Sequence, residues 1–178
     1  GSVAIAAALF FTGCGSGFPK GFPSYISARA NVLRVGQTVQ LTTETAITGS
    51  PVAFWVNGVP GGNAEFGTVD SKGVYTAPAV TPWPNNTVTI TSLATAFSQD
   101  MPGMVTVSVL NPIPVLTSVT PSGFSEGQTT VTVHGSQFVY GAQIFWQGVP
   151  VPTTFVSATE LAAEIAAPNP GTYPLMVS

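Results

Sequence analysis

Strict alternation constrains this chain more than any other feature. β-Branched and other apolar residues take turns with small polar ones in short segments, and Gly, Pro or Asn interrupts them. Val39-Gln40-Leu41-Thr42, Val88-Thr89-Ile90-Thr91 and Val105-Thr106-Val107-Ser108-Val109 all show it. Period two sends successive side chains to opposite faces of a strand, so each segment offers one face to a core and one to water. From Ser24 onward the candidate strands are Tyr25–Leu33, Thr38–Thr45, Val52–Val56, Gly67–Val69, Val74–Ala77, Thr87–Thr95 and Met104–Leu110. Short strands with turn signals between them predict a β-sandwich. Only Leu161–Ala167 has a composition open to helix, and it is short and flanked by proline.

Asn111-Pro112-Ile113-Pro114 divides the chain, because two prolines so close cannot sit in a central strand and they stiffen a linker. Strands then recur at Val115–Val119, Thr129–His134, Gln143–Trp146, Thr153–Val156, Glu160–Ala166 and Thr172–Val177. The expected organisation is an apolar segment over 1–13, a flexible tether over 14–23, one β unit over 24–112 and a second over 113–178. The units share an echo: Phe54-Trp55-Val56-Asn57-Gly58-Val59-Pro60 and Phe145-Trp146-Gln147-Gly148-Val149-Pro150 each read as an apolar strand ending in a glycine turn. Trp55 and Trp146 are expected in the cores. In the second unit Ile144 and Trp146 should face inward with Val131 and Val133. Gly135 is expected to take a positive φ where its strand bends. A unit of about 65 residues has a small core by surface-to-volume scaling.

Full charges make up 6% of the chain, against about 25% in an average globular protein. That excludes coiled coils and charged disordered tails. The net charge of −3 and pI near 4.8 argue against a nucleic-acid partner, since phosphate contacts need clustered Lys and Arg. A single cysteine, Cys14, allows no internal disulfide.

Val3–Phe11 is an unbroken apolar run, far short of the roughly 20 residues a membrane-spanning helix needs. Its length suits the apolar region of a secretion signal. It ends in Phe11-Thr12-Gly13-Cys14-Gly15-Ser16-Gly17, which resembles the lipobox of bacterial lipoproteins, with Phe11 in place of the usual leucine. The resemblance implies lipidation of Cys14, attachment to a membrane and removal of residues 1–13. Two other readings stand beside it: a buried strand with an incidental cysteine, and an apolar strand donated to a neighbouring subunit's sheet, giving self-association through Val3–Phe11.

The first unit resembles a bacterial Ig-like domain over Val35-Gly36-Gln37-Thr38-Val39-Gln40-Leu41, Trp55-Val56-Asn57-Gly58, Gly67 through Pro78, and Val88-Thr89-Ile90-Thr91-Ser92-Leu93-Ala94. The second is similar to an IPT/TIG domain over Pro114-Val115-Leu116-Thr117-Ser118-Val119-Thr120-Pro121, Gly127, Val131 through Phe138, and Gly171-Thr172-Tyr173-Pro174-Leu175-Met176-Val177. These resemblances imply an all-β chain of two tandem immunoglobulin-like β-sandwiches. The IPT/TIG pattern runs a few residues further than Ser178, so a longer natural protein is expected.

Constellations with chemical meaning are few. Gly123-Phe124-Ser125-Glu126-Gly127 matches G-x-S-x-G, yet a nucleophile elbow needs a following helix, then an acid and then a histidine. Here a Thr/Val strand follows, and His134 precedes Glu160 and Glu164. His134 alone cannot hold zinc. Glu44, Glu65, Asp70 and Asp100 lack calcium-loop spacing, and Asp70-Ser71-Lys72-Gly73 reads as a hairpin turn. Neither glycine-rich stretch, Gly13-Cys14-Gly15-Ser16-Gly17 or Gly58-Val59-Pro60-Gly61-Gly62-Asn63, follows a strand and opens a helix, so a phosphate cradle is not supported. Asn85-Asn86-Thr87 is a sequon on a loop. Tyr75, Trp83, Phe97 and Tyr140 are the candidate ligand or partner contacts, with Trp83 kept out of strands by Pro82 and Pro84.

The expectation is a non-enzymatic pair of modules with no cofactor and no metal. They would form the stalk, adhesive or binding segment of an envelope lipoprotein, at the outer membrane or cell surface, facing a surface glycan or protein. Alternatives are accessory modules of a secreted glycan-acting enzyme, or a subunit of an extracellular filament joined by the donated N-terminal strand.

Overall fold

The computed structural model describes residues 24–45, 49–94, 101–123, 127–167, 169 and 171–178. The first unit contains β1 (Tyr25–Ala28), β2 (Val32–Arg34), β3 (Thr38–Glu44), β4 (Val52–Val56), β5 (Val59–Pro60), β6 (Gly62–Asn63), β7 (Gly67–Val69), β8 (Val74–Thr76), β9 (Thr87–Ala94) and β10 (Gly103–Leu110). One sheet has the order β1-β3-β8-β7-β6 and the other β2-β10-β9-β4-β5. All ladders are antiparallel except β2 with β10, which run parallel.

The segment Tyr25–Leu33, expected as one strand, is two. Arg29 N–H still bonds Gln40 O of the first sheet at 3.4 Å, while Asn31 O already accepts from Ser108 N–H of the second at 2.8 Å. The chain therefore crosses between sheets at residues 29–31. Alternation elsewhere is obeyed: every second residue of β9 is buried. Val56, Tyr75, Val88, Ile90, Val107 and Val109 pack into a sealed core between the sheets.

The second unit contains β11 (Val115–Thr120), β12 (Gly127–Ser136), β13 (Ile144–Trp146), β14 (Val149–Val151), β15 (Thr153–Ser157), β16 (Glu160–Ala167) and β17 (Leu175–Val177). Its sheets are ordered β11-β12-β16-β15 and β14-β13-β17. Val131, Val133, Ile144 and Leu161 are fully buried between them, with Trp146 packed against this core, as the alternation predicts. The Leu161–Ala167 stretch is a strand, not a helix: β16 is held by β12 on one side and β15 on the other. Those neighbours outweigh the local preference of an alanine-rich run. Both units are immunoglobulin-like sandwiches, each with two antiparallel-dominated sheets facing across one core.

Two sequence expectations need correction. Gly135 does not take a positive φ. A side chain there would collide with the Val115 carbonyl oxygen and the Phe138 ring, so close approach selects the glycine. Trp55 is not core. Phe54 points inward, and Trp55 is half-buried on the opposite face of β4, beside its cross-strand partners Pro60 and Thr91.

The echo between the units is structural. Asn57-Gly58 joins β4 to β5 with φ of 47° and 79°, and Gln147-Gly148 joins β13 to β14 with φ of 53° and 79°. Two positive values in a two-residue loop define a type I′ hairpin, whose twist matches that of the strands.

Candidate functional site

The predicted contact residues separate sharply. Tyr75 is fully buried in the first core, and its hydroxyl donates to Phe66 O at 2.7 Å. Burial pushes its pKa up from 10.0 to about 12. Tyr75 is a core residue and not a contact. Phe97, Cys14 and Val3–Phe11 lie outside the described residues.

Trp83 is 86% exposed. Pro82 beside it is buried, Asn86 N–H donates to Pro82 O at 2.9 Å, and Val109 N–H donates to Asn86 O at 2.6 Å. The turn is thus fastened to the first unit while the indole stands in solvent. Tyr140 is 90% exposed, and its ring meets Phe155 edge-on at 6.1 Å and 74°. Trp83 and Tyr140 belong to different units, and neither lines the cleft described next.

That cleft, of about 280 Å³, opens in the second unit between its two sheets. Val119, Trp146, Ile165 and Leu175 supply apolar walls, and Tyr173 and Asn169 stand at one side. The Trp146 and Tyr173 rings lie 5.2 Å apart at 52°. Trp146 Nε1–H donates to Ala166 O at 3.1 Å, and Tyr173 Oη–H donates to Asn169 O at 2.7 Å. Both rings are held with their polar ends occupied, which leaves apolar surface facing the cleft. Sequence reading placed Tyr173 in a strand starting at Thr172, whereas the strand begins at Leu175. Pro174, which lacks an N–H, was the available signal that Tyr173 precedes the ladder.

The turn polar groups serve the scaffold. Asp70 Oδ1 accepts from the N–H groups of Lys72 and Val74, both at 2.9 Å, and Gly73 has a φ of 76°. This is the hairpin turn expected for Asp70-Ser71-Lys72-Gly73. Asn63 Oδ1 likewise accepts from Glu65 and Phe66 N–H, and Asn57 Oδ1 from Thr89 N–H. Among the described residues no three His, Cys, Asp or Glu side chains converge. His134 lies half-buried on β12. Gly127 of the G-x-S-x-G stretch opens a strand where an elbow needs a helix, and Ser125 lies outside the described residues. No described helix is long and apolar enough to cross a membrane.

The fold places the chain among all-β proteins built of immunoglobulin-like sandwiches. Within that class, residues 114–178, just over a third of the chain, match the IPT/TIG domain. No curated protein matches. Solved structures with a similar arrangement include murine CEACAM1b, with 18% identity over 87% of this chain and 92% of that one and a TM-score of 0.34. The adhesin InvE of Yersinia pseudotuberculosis matches with 16% identity over 86% of this chain and 55% of its own, at a TM-score of 0.39. SGBP-B of the Bacteroides ovatus mixed-linkage glucan utilization locus, solved with a mixed-linkage heptasaccharide, matches with 17% identity over 86% and 39%, at a TM-score of 0.28.

Proposed function

We propose that this chain is a non-enzymatic segment of a bacterial cell-surface protein, in which two immunoglobulin-like modules act as spacer and binding surface. One observation carries the reading: the polar side chains of the turns are engaged by backbone N–H groups, whereas Trp83, on a turn fastened through Pro82 O and Asn86 O, and Tyr140 stand in solvent. Such a surface suits contact with a glycan or protein by stacking and apolar burial. Attachment in this reading is through a lipid on Cys14, supported by the lipobox-like Phe11-Thr12-Gly13-Cys14. Cys14→Ser is expected to release the protein from detergent-extractable membranes into the soluble fraction, read by fractionation and immunoblot. Unchanged retention would sink the lipid anchor.

A second reading, a filament subunit that keeps residues 1–13 and donates Val3–Phe11 to a neighbour, is supported by the unbroken apolar run Val3–Phe11 itself. The two readings exclude each other, because the cleavage before a lipidated Cys14 removes the donated segment. Intact mass of the protein from its source cells decides between them. A chain starting at a lipidated Cys14 supports the anchor, and an unmodified chain retaining residues 1–13 supports donation.

A further inference from the structure

On β9 every second residue is buried, so Thr87, Thr89, Thr91 and Leu93 turn outward. On β10 the outward positions are Met104, Thr106 and Ser108. On β4, where Phe54 packs on the core and Val56 is sealed within it, they are Ala53 and Trp55. Cross-strand register sets these side chains in rows. Trp55 stands opposite Thr91, and Thr91 opposite Met104. Ala53 and Leu93 form the row on one side, and Thr89 with Thr106 the row on the other. An apolar corner around the indole thus passes directly into a field of hydroxyls.

Two properties set this face apart. The first is charge: β4, β9 and β10 contain no Asp, Glu, Lys or Arg, whereas the outward row of β3 on the opposite sheet ends in Glu44. The second is unspent hydrogen-bonding capacity. Among the described residues the hydroxyls of Thr89, Thr91 and Thr106 and the Nε1–H of Trp55 have no hydrogen-bond partner, and Ser92 Oγ is the single unpartnered side-chain atom sealed from solvent. The Trp55 donor is therefore open to solvent, unlike that of Trp146, which is occupied by Ala166 O.

An aromatic ring, a set of free hydroxyls and no charge match a neutral polyhydroxylated ligand. A sugar ring offers C–H groups on its face to the indole and hydroxyls at its rim to the threonines. Hydroxyls buried without partners cost free energy. A protein partner would need a polar atom opposite each of them, whereas a glycan carries hydroxyls on every ring. A phosphate- or carboxylate-bearing chain would meet no cation on these three strands. The four outward positions of β9 span roughly 20 Å, room for several rings in line.

We propose that the outer face of β4, β9 and β10 binds a neutral polysaccharide, with Trp55 stacked on a sugar ring and Thr89, Thr91 and Thr106 bonded to its rim. The proposal rests on the reading of this chain as a binding segment, and gives that reading a ligand class on a face to which Trp83 and Tyr140 do not belong.

The test is affinity electrophoresis of the full chain through native gels holding hydroxyethyl cellulose, laminarin or galactomannan, with alginate as the anionic control. At least one neutral polysaccharide is expected to retard the protein, and alginate is not. Trp55→Ala should weaken the retardation at least tenfold, and Thr91→Val with Thr106→Val at least threefold. The valines keep the shape of threonine and suit a strand, so their effect is read apart from unfolding. Trp83→Ala and Tyr140→Ala should leave affinity within twofold. Retardation that survives Trp55→Ala and is lost in Trp83→Ala or Tyr140→Ala would overturn this face and leave the binding reading standing. No retardation in any neutral gel would overturn the face and the glycan half of that reading together. A dimer in sedimentation equilibrium that Trp55→Ala abolishes would assign the face to a second copy and overturn the proposal.

Discussion

Tyr75 concentrates the chemistry of the first core in one side chain. Its ring is fully buried and its hydroxyl is held by Phe66 O. Burial disfavours the phenolate, which is why the pKa rises from 10.0 to about 12. Between those values the unfolded chain loses this proton while the folded chain keeps it. The stability tied to Tyr75 is thus complete below the lower value and is lost as pH rises through the upper one. The gap corresponds to a few kcal/mol, on the order of 1.4 kcal/mol per pKa unit. Tyr75→Phe is expected to remove this extra alkaline loss, at a cost near neutral pH of about 1 kcal/mol for the missing hydrogen bond. Urea denaturation in steps across the alkaline range reads both, and parallel curves for the two proteins would refute the assignment. In the sequence, Tyr75 and Trp83 looked alike, as aromatics near turn residues. Only the register of β8 against β3 and β7 distinguishes them, and register is set by partners distant in sequence.

At the scale of elements, the two hairpins show what local sequence specifies and what it leaves open. Asn57-Gly58 and Gln147-Gly148 were legible because a tight hairpin demands positive φ at two successive positions. The parity of the strands feeding them was not. In β13 the tryptophan packs on the core, and in β4 the phenylalanine before it does, although Phe-Trp occurs in both. A one-residue change in register exchanges the faces of a strand, and a fully apolar strand carries no alternation to fix it. The consequence is measurable. Trp146→Ala should destabilise by about 3–5 kcal/mol, as truncation against a core does, and Trp55→Ala by about 1–2 kcal/mol for half-buried apolar area. Equal losses in chemical denaturation would mean that both rings belong to cores. The split of β1 from β2 was likewise hidden, since Tyr25–Leu33 contains no proline or glycine to mark the crossing.

For the whole molecule, the division at Asn111-Pro112-Ile113-Pro114 was readable, and the sheets respect it: strands up to Leu110 pair with one another, and strands from Val115 pair with one another. Each group encloses its own buried cluster. Calorimetry is therefore expected to show two transitions. Leu161→Ala should lower one of them by on the order of 10 °C or more, given a core truncation of about 2–5 kcal/mol in a small unit, and leave the other in place. A joint shift of both would show that the units melt as one. The candidate contact residues were less legible than the fold. Trp83 and Tyr140 were found as exposed aromatics, but the Trp146–Tyr173 cleft joins side chains from segments far apart in sequence, Val119, Trp146, Ile165 and Leu175, which no local pattern brings together.

The parallel pairing of β2 with β10 has a mechanical meaning. These strands lie near the start and the end of the first unit and point the same way. Tension applied along the polypeptide draws them in opposite directions along their shared axis. The ladder from Val32–Arg34 to Ser108–Leu110 is then loaded in shear, with its bonds strained together rather than peeled one at a time. Any pull between the two ends of the first unit would meet this geometry, and the unit would resist extension until that short ladder slipped as a whole.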